Sequence, residues 1–175
     1  MRKQDISENL VNKVYLSIGS NLGNKKRNIE KAKYFLEKNS IKILKSSNIY
    51  ESFSWPNKNH PKFYNIVIKI ITELKPINLF LTIKDIEKRL GRIKSITNSP
   101  RTCDIDILDY KGLNYELDVN NNKLLIPHPR LHNRNFVLFP LFEIEKNWKH
   151  PLKKTKIQDL IEKLDNSSLY SIKQI

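Results

Sequence analysis

Between residues 14 and 110 the chain switches repeatedly between a two-residue and a 3.6-residue apolar period, and this switching restricts its fold more than any other feature. Val14, Leu16 and Ile18 alternate with Tyr15 and Ser17, which predicts a strand over 14–19. Asn21-Leu22-Gly23-Asn24 reads as a turn, with Asn24 placed to cap a following helix. Ile29, Ala32, Phe35 and Leu36 give that helix an apolar stripe down to about Asn39. A second, less clearly patterned strand is expected over 41–51, and a polar, proline-bearing loop over 52–61. Residues 63–74 are rich in β-branched side chains and predict a third strand.

Pro76 sits where a first-turn proline is tolerated. Behind it Leu79, Ile83, Ile86 and Leu90 recur at helical spacing, and Gly91 supplies the stop. Residues 102–110 alternate again. The order strand, helix, strand, strand, helix, strand predicts an α+β fold, a ferredoxin-like βαββαβ sandwich whose antiparallel sheet carries helices on one face. Beyond Lys111 an Asn-rich hairpin, a Pro-flanked loop and two helices are expected as C-terminal additions. Residues 1–12 read as a flexible arm, 13–175 as a single domain, and 167–175 as a loose end.

With 175 residues, 39% of them hydrophobic, the chain can fill one core and has little room for a second. One cysteine, Cys103, leaves no internal disulfide and fits a reducing compartment. No stretch is long and apolar enough to span a bilayer, and the polar start lacks a signal-peptide core. The net charge of +14 raises the question of nucleic acid, but the lysines are scattered rather than gathered in a stripe. A solvated surface is the better reading, and a positive field also gathers small anions.

The sharpest local feature is Pro100-Arg101-Thr102-Cys103-Asp104-Ile105-Asp106-Ile107. On a strand, Asp104 and Asp106 share one face while Cys103, Ile105 and Ile107 turn to the core. Neighbouring carboxylates repel unless a cation bridges them, and hard oxygens of this kind suit Mg²⁺ shared with phosphates. The competing reading is a solvated acidic strand face. Arg92, Lys94 and Arg101 flank the pair, as a polyphosphate site would require, although surface charge is common in so basic a chain. Phe63 and Asn65 share a strand face, where an aromatic plane beside an amide suits a flat hydrogen-bonding heterocycle. His128, held between Pro127 and Pro129, is followed by Asn133-Arg134-Asn135-Phe136. No Walker-type loop and no Ser/His/Asp or Cys/His pattern occurs.

In order and spacing, four segments resemble the 6-hydroxymethyl-7,8-dihydropterin pyrophosphokinase family. They are Tyr15-Leu16-Ser17-Ile18-Gly19-Ser20-Asn21-Leu22, then Phe63-Tyr64-Asn65, then the segment from Pro100 to Asp106, and Ile126-Pro127-His128-Pro129-Arg130-Leu131 with Asn133-Arg134. The resemblance implies an ATP- and Mg²⁺-dependent diphosphotransferase of folate biosynthesis, releasing AMP and a pterin diphosphate. It implies that Asp104 and Asp106 bind two Mg²⁺ ions, and that Arg92 and Arg101 meet the phosphates. Glu87, Ile107, Lys123, His128 and Arg134 would join those arginines around the nucleotide. Phe63 and Phe136 would sandwich the pterin, with Gly19, Asn65 and the backbone near Ser52 and Phe53 at its polar edge. The expected partners are small molecules alone, with no nucleic acid and no membrane, on a cytoplasmic monomer.

Three features depart from the family pattern. The loop 94–100 is about one residue short and lacks a tryptophan that can cap the site, Trp55 is not taken as its substitute, and Glu51 stands where some members carry arginine. The loops 52–61 and 94–99 are expected to order when substrates bind. Two alternatives stay open at this point. A non-catalytic ferredoxin-like module that binds RNA or a small ligand is disfavoured by the missing aromatic RNA-binding pattern. A nucleotidyltransferase using the same carboxylates would be separated only by its products.

Overall fold

A computed structural model describes residues 13–92, 99–119 and 122–175; the expected arm 1–12 and, with Lys94, all but the last residue of the loop 94–99 expected to order with substrates lie outside them. β1 (Val14–Ser20) runs through the middle of the main sheet, antiparallel to β4 (Phe63–Ile71) on one side and to β5 (Asp104–Tyr110) on the other. Both neighbours are also antiparallel in register with its alternation, so Val14, Leu16 and Ile18 meet Ile70, Ile68 and Ile66 across one ladder. On that face they join Ile105 and Ile107 in an aliphatic core.

Two helices close this face. α1 (Lys25–Lys38) starts at Asn24, whose side chain accepts from the Arg27 N–H at 3.0 Å, and buries Ile29, Ala32 and Leu36. α2 (Pro76–Arg89) has proline in its first turn, buries Leu79, Ile83 and Ile86, and is followed by Gly91 at φ +83°. Within the described residues this is a mixed α/β domain built on an antiparallel sheet.

The expected single strand over 41–51 is two strands, β2 (Lys42–Ser46) and β3 (Tyr50–Ser52), both paired with β4. The break has a local cause. The Ser47 hydroxyl accepts from the Val67 N–H at 3.0 Å in place of a ladder carbonyl, and Glu143 accepts from the Asn48 N–H and side-chain amide at 3.1 and 2.8 Å. A second hairpin sheet follows β5, made of β6 (Tyr115–Val119) and β7 (Asn122–Ile126), and its Val119, Leu124 and Ile126 extend the same core.

Helices on one face alone describe only the first 110 residues. After a 3-10 turn at Leu131–Asn133, α3 (Asn135–Ile144) and α4 (Ile157–Glu162) cover half of the opposite face. There Tyr15, Val67 and Leu108 pack against Val137, Leu138, Leu141 and Trp148. The expected loose end over 167–175 is also corrected: it forms α5 (Asn166–Tyr170) and β8 (Ile172–Gln174), and β8 adds to the open edge of β3. Asp165 caps α5 by accepting from the Ser168 N–H at 2.8 Å. No apolar period announces a three-residue strand; an unpaired sheet edge creates it.

β5 contains a bulge. Tyr15 pairs with Asp109 and Leu16 with Ile107, leaving Leu108 as an extra residue. Its freed carbonyl accepts from the His128 N–H at 3.0 Å.

Candidate active site

The uncovered half of the second face forms the floor of a cavity of about 590 Å³. Strand parity puts Ser17 and Gly19 of β1, Phe63 and Asn65 of β4, and Asp104 and Asp106 of β5 on this floor. Gly19 is needed for space rather than for backbone freedom. A Cβ there would lie 3.2 Å from Asn65 Oδ1 and 3.4 Å from the Phe63 ring.

At one end the carboxylates are engaged by cations. Asp104 accepts from Arg92 at 2.6 Å and pairs with Arg101 at 3.2 Å. Asp106 accepts from Arg134 at 3.3 Å and lies 3.9 Å from His128 Nε2. Burial pushes the Asp106 carboxyl up, but His128 and Arg134, with Lys84 and Arg92 behind them, outweigh it and hold the group below the usual range. The His128 imidazole is held low by burial, with Arg134 and Arg130 adding to that and Asp106 opposing it. Its position follows from the bulge carbonyl that anchors its backbone.

At the other end the polar groups are fixed by the sheet. Asn65, 5% exposed, donates to Ser52 Oγ at 3.0 Å and to the Tyr50 carbonyl at 3.3 Å, which leaves its carbonyl oxygen toward Gly19 and the cavity. Phe53 and Phe136 complete the aromatic lining with Phe63. Each of two rings carries a guanidinium, Arg101 over Phe63 at 5.7 Å and Arg134 over Phe136 at 5.5 Å. The carboxylate end and the aromatic end are thus joined through shared arginines.

Three of the expected residues lie outside this cavity. Glu87, 2% exposed, sits one layer behind it and accepts from the Ile105 N–H at 2.7 Å and from Lys84 at 2.9 Å. It also accepts from Arg92, so it places that guanidinium against Asp104. Burial pushes the Glu87 carboxyl above its ordinary range, against the pull of Lys84 and Arg92. Ile107 and Lys123 line an adjoining groove of about 300 Å³ with Phe80, Leu124 and Leu125, and this groove shares Asp106, His128 and Arg130 with the cavity. The Lys123 ammonium itself pairs with Glu116 at 2.8 Å on the hairpin surface.

Other residues come into play that spacing did not single out. Lys84 lines the cavity. Asn21, read as part of a turn, is buried and ties two loops together. Its amide donates to Ser54 Oγ and the Pro61 carbonyl at 3.2 Å each, and its oxygen accepts from the Arg101 N–H at 2.7 Å. Trp55, 67% exposed, stands at the cavity wall with the Arg130 guanidinium 5.9 Å from its ring. Glu51 accepts from Lys62 at 2.8 Å. A buried asparagine ahead of a helix or a tryptophan in a polar loop gives no periodic signal, so only the fold brings them here.

Residues 15–146 match the family model described as 7,8-dihydro-6-hydroxymethylpterin-pyrophosphokinase (HPPK). The chain belongs to this family. It is 42% identical over 151 residues to the 2-amino-4-hydroxy-6-hydroxymethyldihydropteridine pyrophosphokinase of Aquifex aeolicus, covering 83% of this chain and 88% of that protein. It is 41% identical to the folic acid synthesis protein fol1 of Pneumocystis carinii, over 90% of this chain but 21% of that one. The chain thus spans about a fifth of the length of such fungal relatives. A wild-type HPPK-DHPS of Plasmodium falciparum superposes with a TM-score of 0.72 at 15% identity, over 94% of this chain and 48% of that one. At that identity the match speaks for the HPPK fold alone. Among the described residues no helix is long and apolar enough to cross a membrane.

Proposed function

We propose that this protein transfers the terminal diphosphate of ATP to 6-hydroxymethyl-7,8-dihydropterin, giving AMP and the pterin diphosphate for folate biosynthesis. One observation carries the reading: a single cavity holds Asp104 and Asp106 among arginines at one end and Phe63, Asn65 and Phe136 at the other. An anionic chain and a flat heterocycle can lie in it end to end. The adjoining groove, with Ile107, Leu124 and Lys123 on its walls, suits the base of the nucleotide.

The reaction joins the hydroxymethyl oxygen to the β-phosphorus and breaks that phosphorus's bond to the oxygen shared with the α-phosphate, so AMP leaves and the alcohol loses its proton. The choice of the β-phosphorus rests on the family, whose members are named pyrophosphokinases. The donor set fits Mg²⁺: two hard carboxylates on one strand face, open to a cavity that would supply phosphate oxygens. Asp104 and Asp106 would hold two such ions, which when bound neutralise charge on the triphosphate.

The chain's own residues do the rest. Arg92, Arg101 and Arg134 pair with the two aspartates. A triphosphate offers these guanidiniums better partners and thereby frees the carboxylates for metal. Glu87 keeps Arg92 close while this exchange takes place. Phe63, Phe136 and Asn65 hold the heterocycle so that its hydroxymethyl group points along the phosphate axis, and positioning then lowers most of the remaining barrier.

The strand order β5-β1-β4 with β2 and β3 beyond supports a ferredoxin-like βαββαβ core as part of the same reading, in a cytoplasmic monomer acting on small molecules alone. Incubation with ATP, Mg²⁺ and the reduced hydroxymethyl-pterin tests it. AMP and a pterin diphosphate should appear in equal amounts, whereas ADP with a monophosphorylated pterin would overturn the assignment.

A further inference from the structure

The C-terminal segment 165–175 has no part in the chemistry above, yet it touches both walls of the aromatic end of the cavity. On one wall, β8 lies along β3 with Tyr50 opposite Gln174, Glu51 opposite Lys173 and Ser52 opposite Ile172. The Ile175 N–H donates to the Ile49 carbonyl at 3.0 Å beyond that ladder. Ser52 is the residue whose hydroxyl accepts from Asn65. On the other wall stands Asn135, 8% exposed, between Arg134 and Phe136. Its amide donates to the Ser168 carbonyl at 2.6 Å and to Ser171 Oγ at 2.9 Å. Ser167, Ser168 and Ser171 themselves face the cavity.

β3 has three residues, and without β8 it would be a sheet edge held from one side only, a weak restraint on Ser52 and Phe53. Asn135 without α5 would be a buried amide missing both acceptors, and the start of α3 would shift to find others. The segment therefore fixes the two walls relative to each other. We infer that residues 165–175 act as a bracket that sets the width of the heterocycle subsite, with Asn135 as its positioning residue, and so determine affinity for the flat substrate but not for the nucleotide. This rests on the functional reading given above.

The test compares wild-type protein with a variant ending at Asp165 and with Ser171→Ala and Asn135→Ser, which keep the full chain. In the truncated variant Kd for the hydroxymethyl-pterin should rise at least about tenfold while Kd for a non-hydrolysable ATP analogue changes less than about twofold. Ser171→Ala and Asn135→Ser should each raise the pterin Kd roughly threefold, and kcat at saturating pterin should hold in both. Equal losses for both ligands, or none, would overturn the bracket. Amide exchange read without any ligand separates this from the functional reading. Exchange at Tyr50, Ser52 and Phe136 should quicken in the truncated variant, or, should that variant not fold, at Tyr50 and Ser52 in Asn135→Ser, since the Phe136 N–H donates directly to Asn135 Oδ1 at 2.6 Å. Unchanged exchange at these amides overturns the bracket even if the enzyme turns over. Quickened exchange in a protein that yields no pterin diphosphate upholds it and removes the functional reading instead.

Discussion

On the face of the sheet that α1 and α2 cover, Val14, Leu16 and Ile18 of β1 each meet an isoleucine of β4, and only Ser20 at the strand end is polar, its hydroxyl accepting from the Asn28 amide at 3.1 Å. On the opposite face the same three strands present Tyr15, Ser17 and Gly19, Asn65 and Val67, and Asp104 and Asp106, and the helices cover only half of them. One face uses burial of uniform apolar surface for stability, at about 25 cal/mol per Å² removed from water. The other forgoes that apolar burial and keeps polar and charged groups around a cavity, where ligands can meet them. The sheet thus separates what holds the fold from what the fold is for, and substitutions on its two faces should have different kinds of effect.

The largest expected effect is on the open face. Asp104→Asn or Asp106→Asn should lower the rate by at least about a thousandfold, roughly 4 kcal/mol of transition-state stabilisation. The fold should persist, although each change leaves an arginine to find new partners. Near wild-type turnover by either folded variant would take the carboxylates out of the reaction and blur the contrast between faces.

A crossed pair of variants sharpens it. Leu16→Ala on the closed face should cost about 2–5 kcal/mol of stability and leave both ligand affinities intact in the fraction that folds. Phe63→Ala should change stability little, weaken pterin binding by the area term plus roughly 1 kcal/mol of stacking, and leave ATP binding nearly unchanged. Denaturant unfolding and calorimetric titration of the same two proteins read both columns. Were Phe63→Ala the more destabilising of the two, that ring would belong to the core rather than to the site.

The smallest effect concerns the packed half of the second face, where a histidine is buried among the apolar side chains. His150 is buried beside Trp148 and His132 and accepts from the Leu152 and Lys153 N–H groups. Burial, aided by His132 and Lys153, lowers its pKa from 6.5 to about 4. Between those values the unfolded chain binds a proton that the folded chain does not. The stability His150 contributes is therefore complete above about pH 6.5 and is lost as pH falls toward 4, by at most about 1.4 kcal/mol per pH unit. Urea midpoints at pH 7 and 5 should show this decline, and His150→Gln should flatten it. An unaltered slope in that variant would assign the decline to other groups.

The elements legible in the sequence are those whose pattern is local. Alternation located β1, β4 and β5, the 3.6 period located α1 and α2, and parity placed Asp104 with Asp106 and Phe63 with Asn65. What escaped depends on approach between distant segments. Ser47 breaks a strand because its hydroxyl meets Val67, and β8 forms because β3 offers an edge. Glu87 falls behind the cavity because α2 turns it to the backbone of β5, and Asn21 gains its role only when the loops at Pro61 and Arg101 converge on it. Lys123 sits in the neighbouring groove, where its ammonium meets Glu116 on the paired hairpin strand.

The extra residue in β5 has a consequence for how the charged site is joined. Leu108 stands between Ile107 and Asp109, yet the pairing on either side keeps the phase it would have if Leu108 were deleted. An inserted residue of this kind is silent to the rest of the ladder: Asp106 and Asp109 keep their faces with it or without it. What it adds is one carbonyl outside the ladder, and that carbonyl seats His128. The bulge therefore gives the histidine loop an anchor on the very strand that carries the carboxylates, without changing the face on which those carboxylates stand.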